Sequence, residues 1–252
     1  MSHSSTELLA VMAARELAGV GSVFAGVGIP LLSAALAQKT HAPGLTIVVE
    51  GGSVGPEVLP GRLPISTNEM RIAHRAEMLP GITDVFLFAQ RGFLDVGFVG
   101  GAQVDRFGNL NSSVLGPYDR PKVRLPGSGG ADDIISLCRR VVVVTMHERR
   151  RFVPRVDFVT SPGFLEGGDS RQRAGLRFGR VSRVVTHLGL LGFDETTKAM
   201  RLEALHPGVT AADIVAETGF ELPLAESLTM TEPPSAEELG VLRSLDPDRR
   251  FL

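Results

Sequence analysis

Leu45-Thr46-Ile47-Val48-Val49-Glu50-Gly51-Gly52-Ser53-Val54-Gly55-Pro56 is the stretch from which the fold is read. Residues 45–49 are apolar or β-branched without alternation, the pattern of a strand covered on both faces. A carboxylate follows at once, then two glycines. Open α/β sheets bind ligands beyond the carboxyl ends of their strands, where loops leave backbone N–H groups free and helix N-termini point inward. A strand that stops at a Glu and enters a glycine loop fits such an edge.

Both flanks give the same alternation. Upstream, Leu8, Leu9, Met12 and Leu17 fall near helical spacing over residues 5–18, with Ser4, Ser5 or Thr6 as N-cap. A short strand at 22–24 turns through Gly26-Val27-Gly28-Ile29-Pro30 into a buried helix at 31–38. Downstream, residues 72–78 read as helix, and 85–89, 94–99, 141–145 and 181–186 read as strands. The expected fold is α/β, an open, mostly parallel sheet flanked by helices. Residues 1–230 form one domain, and 231–252 a C-terminal arm of it, peripheral, with a short amphipathic helix at 237–244 after Thr231-Glu232-Pro233-Pro234-Ser235.

The 252 residues, 43% of them hydrophobic, supply one large core. Charged residues are 21% and the formal net charge is -2, so no overall field favours nucleic acid or an anionic membrane surface. The N-terminus has no basic segment followed by an apolar run, and no stretch reaches the roughly 18 apolar residues of a membrane span. A cytoplasmic location is expected. Cys138, the single cysteine, lies in an apolar run and reads as a core residue. His41, His74, His187 and His206 lack metal-ligand spacing, so no metal is expected. Gly26 and Gly28 do not make a dinucleotide fingerprint, since Leu31 stands where a third glycine belongs.

Three loops carry candidate chemistry. Glu50 is either a covalent nucleophile or general base, or a helix cap or arginine partner. Gly100, Gly101 and Ala102 offer adjacent N–H donors to a thioester oxygen, with Gln103 and Asn109 as further oxyanion or substrate-binding candidates; a tight turn is the alternative. Ser128, Gly129 and Gly130, in a turn entering a helix, offer backbone groups to the phosphate or pantetheine of CoA, and no Lys follows to make a P-loop. The run His147-Glu148-Arg149-Arg150-Arg151 either holds CoA phosphates or is a solvated basic turn.

Taken in this order, the loops resemble the β subunits of class I, glutaconate-type CoA transferases to about Glu221. The Glu50–Gly55 stretch resembles the family's Glu-X-Gly loop, and Gly100-Gly101-Ala102-Gln103-Val104-Asp105-Arg106-Phe107-Gly108-Asn109-Leu110-Asn111 its glycine loop. Residues 156–164, 206–210 and 218–220 look like its later signatures. The resemblance implies a CoA-transferase fold and an αβ or α2β2 enzyme whose α subunit faces this chain across the active site. It also implies a glutamyl-CoA thioester at Glu50, and CoA as part of the substrate with no permanently bound cofactor. The α subunit is expected to cover apolar surface beyond the sheet's active edge.

Within the family, Arg149-Arg150-Arg151-Phe152-Val153-Pro154 together with residues 156–163 looks like the actinobacterial β subunits of steroid-ring-cleaving hydrolases. That branch implies hydrolytic C–C opening of a steroid-derived cyclic diketone CoA thioester in sterol catabolism, placed first here, with acyl-CoA:carboxylate CoA transfer as the alternative. In hydrolysis the base is Glu50 or a carboxylate of the α subunit; Glu57 is a weaker candidate. A non-catalytic scaffold subunit is the reading from another class.

Overall fold

The computed structural model describes residues 2–252. Helix α1 (Ser5–Arg15) opens on a capping box, in which the Ser4 hydroxyl accepts from the Glu7 amide at 3.1 Å and the Glu7 carboxylate accepts from the Ser4 amide at 2.7 Å. Strand β1 (Ser22–Ala25) then leads into α2 (Ile29–Lys39), β2 (Thr46–Val49), β3 (Ser53–Val54), α3 (Ile82–Gln90) and β4 (Val96–Val99). Short strands β5 (Gln103–Asp105), β6 (Leu110–Asn111), β7 (Val114–Leu115) and β8 (Val123–Arg124) precede α4 (Ala131–Leu137) and β9 (Arg140–Val144). The chain continues through β10 (Phe152–Val153), α5 (Ser170–Arg173), β11 (Val181–Val185), β12 (Gly189–Phe193), β13 (Met200–Leu205), α6 (Ala211–Ala216), β14 (Leu224–Met230) and α7 (Ala236–Leu245).

Nine strands make one sheet in the order β14-β13-β12-β11-β9-β4-β1-β2-β3. The five central strands β2, β1, β4, β9 and β11 run parallel, and β3 and β12 lie antiparallel beside them. This is the expected open, mostly parallel α/β sheet. The unbroken apolar runs are explained by burial on both faces: Val142 and Val144 of β9 enter the core under α1, α2 and α7, while Val141 and Val143 enter the core under α3 and α4. Each such valine contributes roughly 2 kcal/mol of burial, so the central strands anchor the domain.

Two elements differ from the sequence reading. Residues 85–89 are not a strand but the middle of α3, where Val85 and Ala89, one helical turn apart, are the buried pair. The Asp84 carboxylate accepts from the Gly81 amide at 3.0 Å and sets the helix start. The run Val85-Phe86-Leu87-Phe88-Ala89 carries aromatic β-formers, and tertiary packing overrides that preference. Residues 72–78 hold only the 3-10 turn Met70–Ala73; Arg75 then takes φ 48°, which ends any helix, and Met78 pairs with Val54 as an antiparallel bridge.

Residues 231–252 are tied firmly to the domain rather than peripheral. Helix α7 starts at a second capping box, Ser235 with Glu238, and buries Leu239, Leu242 and Leu245, of which Leu242 and Leu245 join the core formed with α1 and α2. Arg15 donates to both Glu238 oxygens at 2.8 and 2.7 Å, and Arg243 donates to Glu7 at 2.7 Å. Burial opposes ionisation of Glu238, but the hydrogen bonds and charge of Arg15 and the Ser235 cap hold its carboxyl at about 2. Among the described residues no helix is long and apolar enough to cross a membrane.

Candidate functional site

Strand β2 delivers Glu50 half-buried to the carboxyl edge of the sheet. Helix α4 feeds directly into β9, so it returns antiparallel to the strands and brings the loop at its N-terminus to the same edge. It packs close because of Gly97 in β4: a Cβ there would collide with Ile134 and sit 3.1 Å from the Cys138 sulfur.

The loop before α4 therefore meets Glu50. A Cβ on Gly130 would lie 3.2 Å from Cδ of Glu50, and one on Gly129 would lie 3.9 Å from its Oε2. Phe86 of α3 borders Gly130, with its ring 5.3 Å from that of Phe24 between centroids. Gly127 and Gly129 take φ 98° and 52°, which only glycine adopts at low cost. Among the described residues, Glu50 makes neither an ion pair nor a hydrogen bond, so it serves as neither helix cap nor arginine partner. The amides of Gly129 and Gly130 donate to no protein group either. A free, half-buried carboxylate, an aromatic wall and two free N–H donors can together attack a thioester and stabilise the negative charge that results.

Gly51 and Gly52 have a different reason from ligand approach. A Cβ on Gly51 would run into the Thr67 carbonyl, and one on Gly52, at φ 97°, into the Pro80 carbonyl. The Glu50 loop is small because residues 67–80 press against it.

The second loop is tied internally at Ala102, Gln103 and Asn109. Gly100 follows β4, two strands from β2, about 10 Å across the sheet. Among the described residues the Gly100 and Gly101 amides donate to no protein group, whereas the Ala102 amide is committed to the Asn111 carbonyl at 2.8 Å. Gln103 is buried, accepting from Asn111 at 2.7 Å and the Asp157 amide at 3.0 Å while donating to Asp157 at 3.2 Å. Asn109 is buried too: its NH2 donates to Asp105 and to the Leu165 carbonyl, and its oxygen accepts from the Gly163 and Leu165 amides at 2.9 and 3.0 Å. With these atoms engaged, Gln103 and Asn109 hold loops together.

The basic run is tied down as well. Arg149 donates to the Ala216 and Thr218 carbonyls at 2.9 and 3.1 Å, while Arg150 and Arg151 share the Glu148 carboxylate and Arg151 also reaches the Gly101 carbonyl. His147 stacks on Phe152 at 3.8 Å and bonds Thr218 at 3.0 Å; burial, with a smaller push from His187, lowers it to about 3 and keeps it neutral. Cys138 is fully buried and its thiol is pushed up to about 12 by burial, so it packs and does not react. Glu57 is a surface carboxylate paired with Arg75 at 3.1 Å. Among the described residues no group of three or more His, Cys, Asp or Glu is arranged to hold a metal.

A family model described as Coenzyme A transferase matches residues 6–217. The chain belongs to the Coenzyme A transferase family. It is 37% identical over 245 residues to the B subunit of the 3-oxoadipate CoA-transferase of Pseudomonas knackmussii, covering 97% of this chain and 94% of that one. It is 34% identical over 257 residues to the B subunit of the glutaconate CoA-transferase of Acidaminococcus fermentans, covering 99% and 95%. The crystal structure of the Acidaminococcus glutaconate CoA-transferase superposes with a TM-score of 0.91 at 33% identity, over 99% of this chain and 97% of that one. The cholesterol ring-cleaving hydrolase IpdB subunit of Rhodococcus jostii is 29% identical over 252 residues, covering 96% and 92%. The IpdAB structure from that organism superposes with a TM-score of 0.79 at 28% identity, over 100% and 98%.

The sequence alone did not bring Glu50 to Gly129 and Gly130, which lie some eighty positions on, nor identify Phe86 as their neighbour. Gly97 was the one available signal, since a glycine inside a strand marks close approach of another element.

Proposed function

We propose that this chain is the carboxylate-bearing β subunit of a heteromeric acyl-CoA:carboxylate CoA-transferase, working with an α subunit in an αβ or α2β2 assembly. The observation that carries the proposal is the unpaired Glu50 carboxylate beside the free amides of Gly129 and Gly130. A Glu50 oxygen attacks the thioester carbonyl, and the two N–H groups stabilise the tetrahedral oxyanion. CoA thiolate leaves, giving a mixed anhydride. The thiolate then adds to the Glu50 carbonyl and expels the donor's carboxylate, leaving a glutamyl-CoA thioester. An acceptor carboxylate reverses the sequence and takes the CoA. The role expected of Gly100 to Ala102 thus moves to Gly129 and Gly130, and CoA itself is the only coenzyme, as part of the substrate.

Full-length similarity to the B subunits of two transferases supports transfer ahead of hydrolysis. The ring-cleaving hydrolase is the second reading, favoured by the similarity to IpdB over nearly the whole chain. In that reading, Glu50 or a carboxylate of the α subunit activates water against a steroid-derived cyclic diketone CoA thioester. Assay of the purified αβ complex in oxygen-labelled water separates the two. Transfer predicts CoA exchange that vanishes without an acceptor carboxylate. Acceptor-free opening of the cyclic thioester, with label in the new carboxylate and CoA retained on the product, would replace transfer by hydrolysis.

A further inference from the structure

The corner that holds Glu50 is shaped by one large side chain. A Cβ on Gly130 would lie 3.2 Å from Cδ of Glu50 and 3.1 Å from Cε1 of Phe86, so the carboxyl group and the edge of the ring border the same small gap. Gly51, Gly52, Gly129 and Gly130 bring no side chains to it. The ring is also held in place. Phe24 of β1, fully buried, stands 5.3 Å from it between centroids with the planes tilted by 32°, and Val85 and Ala89 fasten α3 to the core under the sheet. A ring fixed in this way is a wall, because moving it would open a void beside Phe24.

A thioester placed for attack has its carbonyl carbon at a Glu50 oxygen and its carbonyl oxygen on the Gly129 and Gly130 amides. Two groups then remain to be housed, the sulfur that leads to CoA and the acyl chain. CoA is long and highly charged, and burying its phosphates is costly, so it leaves on the solvent side. Gly129 is exposed and Gly130 is buried. The CoA arm therefore runs out past Gly129, and the acyl chain points to the Gly130 side, where the Phe86 ring closes the gap.

We propose that Phe86 selects the acyl group: its ring admits a slim, unbranched chain and refuses one that is branched or cyclic at the carbon next to the carbonyl. The inference rests on the binding of a CoA thioester at Glu50 in the proposed function, and not on whether transfer or hydrolysis follows. The ring acts through shape, so its effect is read as a ratio between ligands rather than as a loss of activity.

The test uses the assembled αβ enzyme and two CoA thioethers, S-propyl-CoA and S-cyclohexylmethyl-CoA, whose S–CH2 group stands in for the thioester carbonyl and cannot be attacked. Affinity is read by calorimetry and folding by circular dichroism. The wild type binds S-propyl-CoA at least about tenfold more tightly, Phe86→Ala lowers that preference at least about tenfold, and Phe86→Trp raises it. Phe88→Leu, two residues further along α3, keeps the wild-type preference. A preference unchanged in Phe86→Ala would overturn the proposal, as would equal weakening of both ligands, which would put the ring against the CoA arm, or the same shift in Phe88→Leu. A wild-type enzyme that binds neither thioether would contradict the binding of a CoA ester at Glu50 and the role of Phe86 with it, whereas binding of both with an unmoved ratio contradicts the role of Phe86 alone.

Discussion

Gly130 faces Glu50 so closely that a methyl group on it would stand 3.2 Å from the carboxyl carbon, and the same methyl group would collide with the Phe86 ring. Three separate segments therefore share one spot at the edge of the sheet. Gly130→Ala forces the Phe86 ring to move, because the added Cβ would collide with it, and crowds the Glu50 carboxyl group. Expected results are a stability loss of about 1–3 kcal/mol and a fall in kcat of at least about tenfold, measured by thermal unfolding and steady-state kinetics of the assembled enzyme.

Asn109→Ala separates a scaffold role from substrate contact. Its side chain ties Asp105 to residues 163–165, all within the protein. Denaturation is expected to show a loss of about 2–3 kcal/mol, while KM for the CoA ester stays at its wild-type value. A raised KM with unchanged stability would return Asn109 to the binding site.

Arg171 is a buried cation with no carboxylate partner among the described residues. Its guanidinium donates to the carbonyls of Pro162, Gly163, Ile135 and Phe178, and burial lowers it to about 10. Arg171→Met leaves four acceptors unpaired and should cost about 3 kcal/mol or more. Arg171→Lys should recover only part of this, because an ammonium cannot span four carbonyls in the planar geometry of a guanidinium. Urea unfolding of the three proteins checks the order.

The ion pairs of α7 set a pH dependence. Glu238 is held at about 2 and Glu7 is lowered chiefly by the hydrogen bond from Arg243, against an ordinary value of 4.5 for each. In this window the unfolded chain binds protons that the folded chain does not, so stability rises with pH. The contribution is fully present above about 4.5 and is lost as pH falls towards 2. The melting-temperature gap between wild type and Glu238→Gln should be constant at neutral pH and close across that window.

Much of the fold was legible because the central strands are buried on both faces and show it as unbroken apolar runs, as in Val141 to Val144. The N-cap of α1, read as Ser4, Ser5 or Thr6, was equally local, and Ser4 fills it. The sequence misread 85–89 because Val85 and Phe86 favour strands, whereas the deciding contacts, Val85 and Ala89 against the sheet, are tertiary. Glu50 could be singled out by its place after β2, but its neighbours could not. The sequence offered Gly100 to Ala102 as N–H donors or a tight turn and Gly129 and Gly130 as CoA-binding groups, and only the return of α4 over Gly97 puts Gly129 and Gly130 beside the carboxylate.

The proposed chemistry stands or falls on Glu50 as the nucleophile. Peptide mass spectrometry of the αβ complex after incubation with acyl-CoA in the absence of acceptor, with and without borohydride, decides the matter. The expected result is a CoA adduct confined to the peptide bearing Glu50, its conversion by borohydride to the corresponding alcohol, and loss of both in Glu50→Gln together with at least about a 100-fold fall in turnover. A complex that turns over at the wild-type rate with Glu50→Gln, or that carries the adduct on a carboxylate of the other subunit, would contradict it.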